Sequence, residues 1–252
     1  MGAVRARFLA PDAHTTGDVV ALPADEAVHL TRVLRLTRGD DVMVFNGQGF
    51  AFDATVQSVR KDGAEVLLGA RCKAAPEPRV AVTLVQAVLK SDKMDDVVRD
   101  AVMIGVAAIQ PIVATRSVVT HASILRGRRR ERWERIAVSS AKQCGRAVVP
   151  VILAPTSFDA VATLIDERRL PGPALMLVEP SAGTDVASLG ELDASPPREA
   201  SVLVGPEGGW TPAEIAAASE RCRLITLGGR TIRGDAMALV AVASLFTKWG
   251  EY

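Results

Sequence analysis

Two stretches near the C-terminal end of the sequence share one pattern, in which an apolar run stops at glycine and a helix begins shortly afterwards. Ser201–Val204 ends at Gly205–Gly209, and Leu224–Leu227 ends at the pair Gly228 and Gly229. A strand, a glycine turn and a helix in this order are typical of ligand loops in α/β proteins, where backbone N–H groups face the ligand. Glycine is needed where φ is positive or where a ligand comes close to the main chain. Two ordinary turns between strand and helix would give the same pattern and are the alternative.

The helix after each glycine turn has its own start signal. Residues 211–214 read Thr-Pro-Ala-Glu, which is a capping box with proline at the first helical position. Asp235 is an N-cap residue, and residues 236–249 carry apolar side chains at helical spacing. We therefore predict one helix that begins at Pro212 and another that is capped by Asp235.

Upstream of these stretches, from residue 79 onwards, strand-like and helix-like segments alternate. Apolar runs predict strands over residues 80–86, 106–113, 149–153 and 174–178. Helical spacing predicts helices over residues 92–104, 128–144 and 157–168. Gly105 fits a C-terminal cap, Ser157 fits an N-cap, and residues 181–200 fit a loop. Such alternation predicts an α/β fold with a mainly parallel sheet covered on both faces.

Residues 1–72 have a different, β-rich pattern. We predict strands over residues 5–9, 41–45, 51–59 and 64–68, and a helix over residues 25–36. The dipeptides that begin at Asn46 and Asp62 are hairpin signals between apolar runs. A dinucleotide-binding glycine motif at Gly47 and Gly49 is excluded, because Phe52 stands where the third glycine belongs. The segment therefore reads as a small barrel or half-barrel, and residues 73–78 read as a linker.

Composition excludes several classes of protein. The chain has 30 basic and 29 acidic residues, so its net charge of +1 neither demands nor excludes a nucleic-acid partner. Since no run of 18 apolar residues occurs, we expect no membrane partner. Cys72, Cys144 and Cys222 are widely separated, which predicts reduced thiols, no disulfide framework and a cytoplasmic location. The three histidines show no metal-ligand spacing, so we expect no metal site.

The carboxyl ends of the predicted strands carry the candidate functional residues, because ligands bind there in open parallel sheets. These ends are Lys90 with Lys93, Glu179, Gly205–Gly209, and the segment 228–235. The glycine loop lacks the lysine and hydroxyl residue of a phosphate-binding NTPase loop, and Glu207 would repel phosphate. A carboxylate beside backbone donors fits a ligand with cationic or hydroxyl groups better.

Residues 126–135 form a strongly basic stretch with six arginines and two glutamates. A solvated helix surface with ion pairs three and four residues apart would explain it. A phosphate-binding face would explain it equally well. Spacing alone leaves both interpretations open.

Segments 203–215 (LVGPEGGWTPAEI) and 227–238 (LGGRTIRGDAMA) together resemble the C-terminal signature of the SPOUT methyltransferases, and within them the RsmE family. The resemblance continues upstream in segments 88–106, 141–150 and 29–49, so it covers nearly the whole chain. It implies a SPOUT-type α/β domain with a trefoil knot over residues 79–252. It also implies a PUA-like, RNA-binding β-barrel over residues 1–72.

The same resemblance implies the activity and the partners. Members of the family transfer a methyl group from S-adenosylmethionine to N3 of a uridine in 16S ribosomal RNA. We therefore expect S-adenosylmethionine as cofactor, and 16S ribosomal RNA or the small ribosomal subunit as partner. A homodimer is expected through the C-terminal helix, which carries apolar residues on more than one side.

Site residues are carried over from the family motifs. Three loops are expected to surround the cofactor through Glu179, Val204, Gly205, Pro206, Gly208, Gly209, Leu227, Gly228, Thr231, Ile232 and Ala236. For catalysis, Arg233 is expected to stabilise negative charge on the uracil, and either Asp235 or Glu207 to take the proton or orient the base. The expected RNA-binding residues are Lys90, Lys93, Gln143, Arg146, Arg32 and Arg35.

The chain departs from the family pattern in a few places. It reads Asp235-Ala236-Met237 where the family usually reads Glu-Thr-Ala, and it has Thr231 where an aliphatic residue is usual. The departures leave the glycine loops intact. They motivate one alternative function, a non-catalytic RNA-binding or ribosome-assembly factor on the same scaffold.

Overall fold

The computed structural model describes residues 5–182 and 185–252, with the side chains of residues 121, 125 and 126 outside the description. Its contacts divide the chain into two compact units. The first unit comprises Met1–Glu77 and Val138–Val149, and the second comprises Pro78–Ala137 and Pro150–Tyr252. The sequence suggested two consecutive segments, whereas the first unit takes a second piece of chain from residues 138–149.

The first unit is built on a five-stranded sheet. Its strands are β1 (Arg7–Leu9), β2 (Val19–Ala21), β3 (Asp41–Phe45), β4 (Ala51–Arg60) and β5 (Gly63–Arg71). The spatial order is β1-β3-β4-β5-β2, in which β1 runs parallel to β3 and the other pairs are antiparallel. Both predicted hairpins are present, because β3 joins β4 and β4 joins β5 through direct antiparallel pairing.

The core of the first unit follows from the two-residue period of its strands. Ala64, Val66 and Leu68 on β5 all point inward, and they pack with Phe8 and Phe52 in one apolar cluster. This alternation is the signal that made the β-rich module predictable. It explains why a short sheet can hold a core on one side while the other side stays polar.

The helix predicted over residues 25–36 forms only in part. It consists of α1 (Ala24–Val28), followed at once by a π-helical turn over His29–Val33. The Thr31 hydroxyl donates to the carbonyl of Ala27, a bond within the turn that competes with regular helix pairing. Leu30 is fully buried in the core of the unit, which fixes the turn in place.

Residues 138–149 are tied to the rest of the first unit by charged groups. The guanidinium of Arg7 donates to the carbonyls of Ala141, Lys142 and Arg146 at 3.0 to 3.3 Å. A cation is favourable there because unpaired carbonyls collect at the C-terminal end of a helix. The ammonium of Lys142 pairs with the buried carboxylate of Glu26 at 2.5 Å.

The second unit alternates strands and helices along the chain. Its strands are β6 (Ala81–Ala87), β7 (Ala108–Val113), β8 (Val151–Ile152), β9 (Thr156–Ser157), β10 (Ala174–Leu177), β11 (Ala187–Ser188), β12 (Glu199–Val204) and β13 (Arg223–Thr226). Its helices are α2 (Lys93–Ile104), α3 (His121–Arg126), α4 (Arg129–Cys144, whose last residues belong to the first unit), α5 (Asp159–Asp166), α6 (Pro212–Ser219) and α7 (Gly234–Lys248).

The sheet of the second unit has the order β11-β13-β10-β12-β6-β7-β8, and β9 also pairs with β7. Every neighbouring pair is parallel. The central strands β6, β10 and β12 are nearly continuous apolar runs and almost wholly buried, as expected for strands covered on both faces. The predicted α/β fold with a parallel sheet is confirmed, and the trefoil knot stays a prediction.

The predicted helix caps were partly right. Thr211 and Glu214 form the predicted capping box, and Gly105 caps α2 in the left-handed conformation with φ of +109°. Ser157 does not cap a helix, since it pairs with β7 in β9 and α5 starts two residues later. Asp235 is not the N-cap of α7, because the helix already starts at Gly234 and the Asp235 carboxylate bonds to an arginine instead.

Four segments lacked a usable sequence signal. The missed elements are the strands β2 and β9, the helix α3, and the strand β11 within the predicted loop 181–200, of which residues 183 and 184 lie outside the described residues. Strands of two or three residues are too short to show a period, so only pairing with a neighbour defines them.

Within residues 5–182 and 185–252, no helix is both long and apolar enough to cross a membrane.

Candidate active site

A cleft of about 260 Å³ opens in the second unit, where the strands β10, β12 and β13 end. These strands are neighbours in one parallel sheet, so their carboxyl ends lie at the same edge. Residues predicted from the sequence to be functional line the cleft: Lys93, Glu179, Val204, Gly205, Pro206, Glu207, Gly209, Thr231, Ile232 and Arg233. The edge of the sheet therefore brings four separate chain segments to one place: the three that follow these strands, and the start of α2 with Lys93.

Sequence reasoning missed part of the lining, namely Leu177, Val178, Trp210, Gly234 and Met237. Leu177 and Val178 lie at the carboxyl end of an apolar strand. Their position at the strand end could have indicated that they line the cleft. The other predicted cofactor residues do not line the cleft: Gly208, Leu227 and Gly228 lie in the same loops, and Ala236 lies in the first turn of α7.

Trp210 shapes the first glycine loop. Its indole N–H donates to the carbonyl of Leu177 at 2.9 Å, and its ring packs on Phe158. A side chain at position 205 would place a Cβ only 3.0 Å from the same ring. Glycine at 205 is therefore required by packing, because the indole occupies the space that a side chain would need.

Two further glycines lie where the loops approach each other. A Cβ at position 234 would make ordinary van der Waals contact with the backbone of residues 205–207, 3.5 Å from the amide nitrogen of Glu207, so packing does not require glycine there. Gly209 has φ of +67°, and a Cβ there would come within 3.1 Å of a carboxylate oxygen of Glu179. Side-chain-free backbone thus forms part of the wall on two sides of the cleft.

Arg116, which follows β7, also holds the first glycine loop. The guanidinium of Arg116 donates to the carbonyls of Gly208 and Trp210 at 2.9 and 3.1 Å. A Cβ at position 208 would lie 3.1 Å from the Cβ of Arg116. The absence of a side chain at Gly208 therefore lets Arg116 pack against the loop. The sequence did not indicate this contact.

Glu214 fixes the position of helix α6 behind the loop. One carboxylate oxygen accepts the backbone N–H of Thr115 at 2.8 Å, and the other accepts the N–H and the hydroxyl of Thr211 at 2.8 and 2.9 Å. Burial disfavours the charged form, but the hydrogen bonds from Thr115 and Thr211 outweigh it and lower the pKa of Glu214.

Two carboxylates at the cleft are each paired with a cation. The carboxylate of Glu207 lies 3.6 Å from the ammonium of Lys93 and accepts the backbone N–H of Lys90 at 3.3 Å. Arg233 and Asp235 form a two-point pair, with Nε to Oδ1 at 3.1 Å and Nη2 to Oδ2 at 2.5 Å. The side chain of Arg233 is 74% exposed, so its guanidinium stays open to a large substrate.

The pKa of Asp235 reflects this environment. Burial disfavours its charged form, but the hydrogen bond and charge of Arg233, with a smaller effect from Lys93, outweigh burial and lower the pKa. A carboxylate with a lowered pKa is a weak proton acceptor. Its geometry suits it to holding the guanidinium of Arg233 in one orientation.

The predicted RNA-binding residues fall into two groups. Lys90, Gln143, Arg32 and Arg35 are exposed, whereas Arg146 is buried and bonds to both carboxylate oxygens of Glu77 at 3.0 and 2.5 Å. The contacts of Arg146 give it a structural part in the first unit, so we do not include it among the proposed RNA contacts.

In the basic stretch 126–135, the described contacts favour the ion-paired interpretation. Arg130 pairs with Glu134 at 2.9 Å, Arg128 lies 4.0 Å from Glu131, and Arg132 pairs with Asp95. No cluster of three metal-binding side chains occurs among the described residues.

Comparison with known families agrees with this geometry. Residues 76–246 match the family model described as an RNA methyltransferase domain, and residues 22–68 match the model of an RNA methyltransferase PUA domain. Fold and site thus define a protein of the RNA methyltransferase class.

Relatives specify the family. The ribosomal RNA small subunit methyltransferase E of Bacillus subtilis is 27% identical over 228 residues, which are 89% of this chain and 88% of the relative. That of Mycobacterium tuberculosis is 28% identical over 240 residues, which are 93% and 89% of the two chains. A crystal structure of the same-named protein from Neisseria gonorrhoeae, bound to S-adenosyl methionine, is 31% identical with a TM-score of 0.84, covering 97% of this chain and 98% of that one. The chain belongs to the ribosomal RNA small subunit methyltransferase E family.

The Glu214 contacts generate a prediction about stability. Glu214→Gln should lower the free energy of unfolding at neutral pH by about 1–3 kcal/mol, because one amide oxygen cannot replace two acceptor oxygens. A lowered folded-state pKa means that the stabilisation is complete above the unfolded pKa and is lost as the pH falls through the folded value. The difference between wild type and variant should therefore shrink below about pH 4 in urea unfolding. Glu220→Gln, an exposed neighbour on the same helix, should change stability by at most about 0.5 kcal/mol; equal losses in both variants would contradict the assignment.

Proposed function

We propose that this protein transfers a methyl group from S-adenosylmethionine to N3 of a uridine in the 16S ribosomal RNA of the small subunit. The observation that carries the proposal is the cleft at the ends of β10, β12 and β13, walled by glycine loops. The relative from Neisseria gonorrhoeae, 31% identical to this chain, binds S-adenosyl methionine. The uridine N3 position rests on the resemblance to the family.

The residues of the cleft fit such a cofactor. Leu177, Val178, Ile232 and Met237 supply apolar side chains for a flat heterocycle, and the loop over residues 205–209 supplies main-chain groups. Glu179, beside Gly209, is placed to accept from hydroxyl or ammonium groups. When bound, the cofactor supplies an electrophilic methyl group on a positively charged sulfur.

Arg233 acts on the substrate side. N3 of uracil must lose its proton before it can attack, which leaves negative charge on the neighbouring carbonyl oxygens. The planar guanidinium, fixed by Asp235, donates to those oxygens and stabilises the charge that develops. Since the pair with Arg233 lowers the pKa of Asp235, that carboxylate orients the arginine. Glu207, which lies 3.6 Å from Lys93 and lines the cleft, is the other candidate for the proton acceptor.

Exposed basic residues bind the RNA outside the cleft. Arg32 and Arg35 lie in the first unit and Lys90 in the second, and each side chain can neutralise a phosphate. The exposed Gln143 supplies a neutral hydrogen-bonding group. Such contacts give affinity that falls with rising salt and carries no base information by itself.

The alternative remains a non-catalytic RNA-binding or assembly factor, which the Asp235-Ala236-Met237 departure motivates. Calorimetry with S-adenosylmethionine separates the two functions. The methyltransferase binds the cofactor without RNA, whereas a binding factor shows RNA affinity alone.

The direct test of the proposed function uses labelled S-adenosylmethionine and small-subunit ribosomal RNA or subunits that lack the modification. We expect label in the RNA, and mass analysis of the nucleosides should identify 3-methyluridine. Cofactor binding without any RNA product from either substrate would contradict the proposal.

Arg233 should control turnover. Arg233→Ala should lower the single-turnover rate by about 10²-fold or more, with cofactor affinity within a few-fold of wild type. Arg233→Lys should restore little activity, because an ammonium lacks the planar fork of donors. The comparison is Arg230→Ala, at an exposed arginine of the same loop, which should instead weaken folding or cofactor binding. A near-normal rate in Arg233→Ala would remove this residue from catalysis.

Helix α7 supports a homodimer as part of the proposed function. It packs against α2 and the strands β6 and β12 through Ala238, Ala241, Val242, Leu245 and Phe246. Leu239 on the same helix is 39% exposed. A helix that carries apolar residues beyond the face its own unit covers needs a further partner, and a second copy of the chain supplies it.

Leu239→Glu should therefore shift the protein from dimer to monomer in sedimentation at micromolar concentration, because a carboxylate would be desolvated in the interface. The control is Val118→Glu, at a valine that is 68% exposed elsewhere in the unit, and it should leave the mass unchanged. A wild-type protein that sediments as a monomer would refute the dimer.

A further inference from the structure

Phe50 is the one phenylalanine that the protein exposes. The chain has six, all among the described residues, and the other five are buried: Phe8, Phe45, Phe52, Phe158 and Phe246. The three tryptophans are also buried, whereas Phe50 as a residue is 41% exposed. The other exposed aromatic residue, Tyr252, bonds through its hydroxyl to the carbonyl of Ile104 in the second unit. Phe50 is the aromatic side chain that the described part of the first unit leaves in water, which suggests a recognition role.

The loop that carries Phe50 is held rigidly. The side-chain oxygen of Asn46 accepts the backbone N–H groups of Gln48 and Phe50 at 2.8 and 3.1 Å. Within the same unit, Gly49 donates to the carbonyl of Ala147 at 3.0 Å. Phe50 is therefore presented at a fixed place, which lowers the entropy lost when a ligand stacks on it.

A cation lies over the ring of Phe50. The guanidinium carbon of Arg71 is 4.1 Å from the ring centroid, and Nη2 of Arg71 donates to the carbonyl of His14 at 3.3 Å. His14 and Gln48 are exposed members of the same hydrogen-bonded cluster, since His14 also lies 3.4 Å from Asn46. The first unit thus combines a flat apolar ring, a flat cation and polar side chains in one small area.

We propose that this Phe50–Arg71 stack binds an unpaired nucleobase of the RNA substrate. The inference rests on the proposed function, and it adds a site in the first unit for single-stranded RNA. Unstacked bases are recognised by aromatic rings and arginine planes, and their edges by hydrogen-bonding side chains. The base stacks on Phe50 or on the outer face of the Arg71 guanidinium, while His14 and Gln48 read its edge.

The test compares RNA binding by the full-length wild type and by Phe50→Ala. The probes are a short single-stranded RNA and a fully paired duplex of the same length, in which no base is free to stack. Loss of one stacked base should weaken single-strand binding by about 5-fold to 100-fold. Duplex binding should stay unchanged. The salt dependence should also stay unchanged, because a stacked base releases no counterions.

Two further variants test whether a loss of affinity in Phe50→Ala comes from the lost stacking ring, from lost apolar surface in general or from destabilised folding. Phe50→Trp should keep the affinity, and the added indole fluorescence should be quenched by the single strand and not by the duplex. Leu67→Ala, at a residue of the same unit that is 38% exposed, should bind both probes as wild type does. Weakened binding in Leu67→Ala as well would assign the loss to general destabilisation and overturn the inference.

The outcomes distinguish this inference from the proposed function. If wild type methylates ribosomal RNA while Phe50→Ala binds single strands normally and Phe50→Trp is not quenched, the nucleobase site is refuted and the function stands. If wild type shows no methyl transfer but Phe50→Ala loses single-strand affinity, the nucleobase site stands and the proposed function fails.

Discussion

The cleft of the second unit depends on backbone coming close to other groups where side chains are missing. The Trp210 indole fills the space beside Gly205, and its N–H bonds to the end of β10. On the opposite side, Gly234 brings the start of α7 to the loop that follows β12. The indole ring packed against Gly205 therefore fixes how closely the loop after β12 approaches the end of β10.

The charges around the cleft have complementary tasks. In the reaction that we propose, the carboxylates of Glu179 and Glu207 face a cofactor with a positive sulfur and an ammonium group, and Arg233 faces a substrate that becomes negative. Each of the two charged pairs, Glu207 with Lys93 and Asp235 with Arg233, keeps opposite charges together before any ligand arrives. Such preorganisation reduces the reorientation needed during the reaction.

Local sequence signals made much of the fold and the position of the cleft predictable. Apolar runs located the central strands, the capping box located α6, and the glycine loops located the cleft, because each signal lies within a few neighbouring residues. The seating of Arg116 against Gly208 and the bond from Thr115 to Glu214 join residues about a hundred positions apart. Such contacts follow from tertiary packing, which a single sequence does not reveal. The short strands β2, β9 and β11 were missed for the same reason, since pairing alone defines them.

The first unit is built from two chain segments that are far apart in the sequence, and this affects how it folds during synthesis. Its sheet is complete by residue 71, yet the helix carbonyls that accept from Arg7 and the ammonium that pairs with Glu26 lie in residues 138–149. At ordinary translation rates, the ribosome needs several seconds to pass from one segment to the other. During that interval the buried carboxylate of Glu26, whose pKa is raised by burial against the opposing pull of Lys142, has no cation beside it. The first unit therefore completes its contacts only after a helix encoded far downstream has been synthesised.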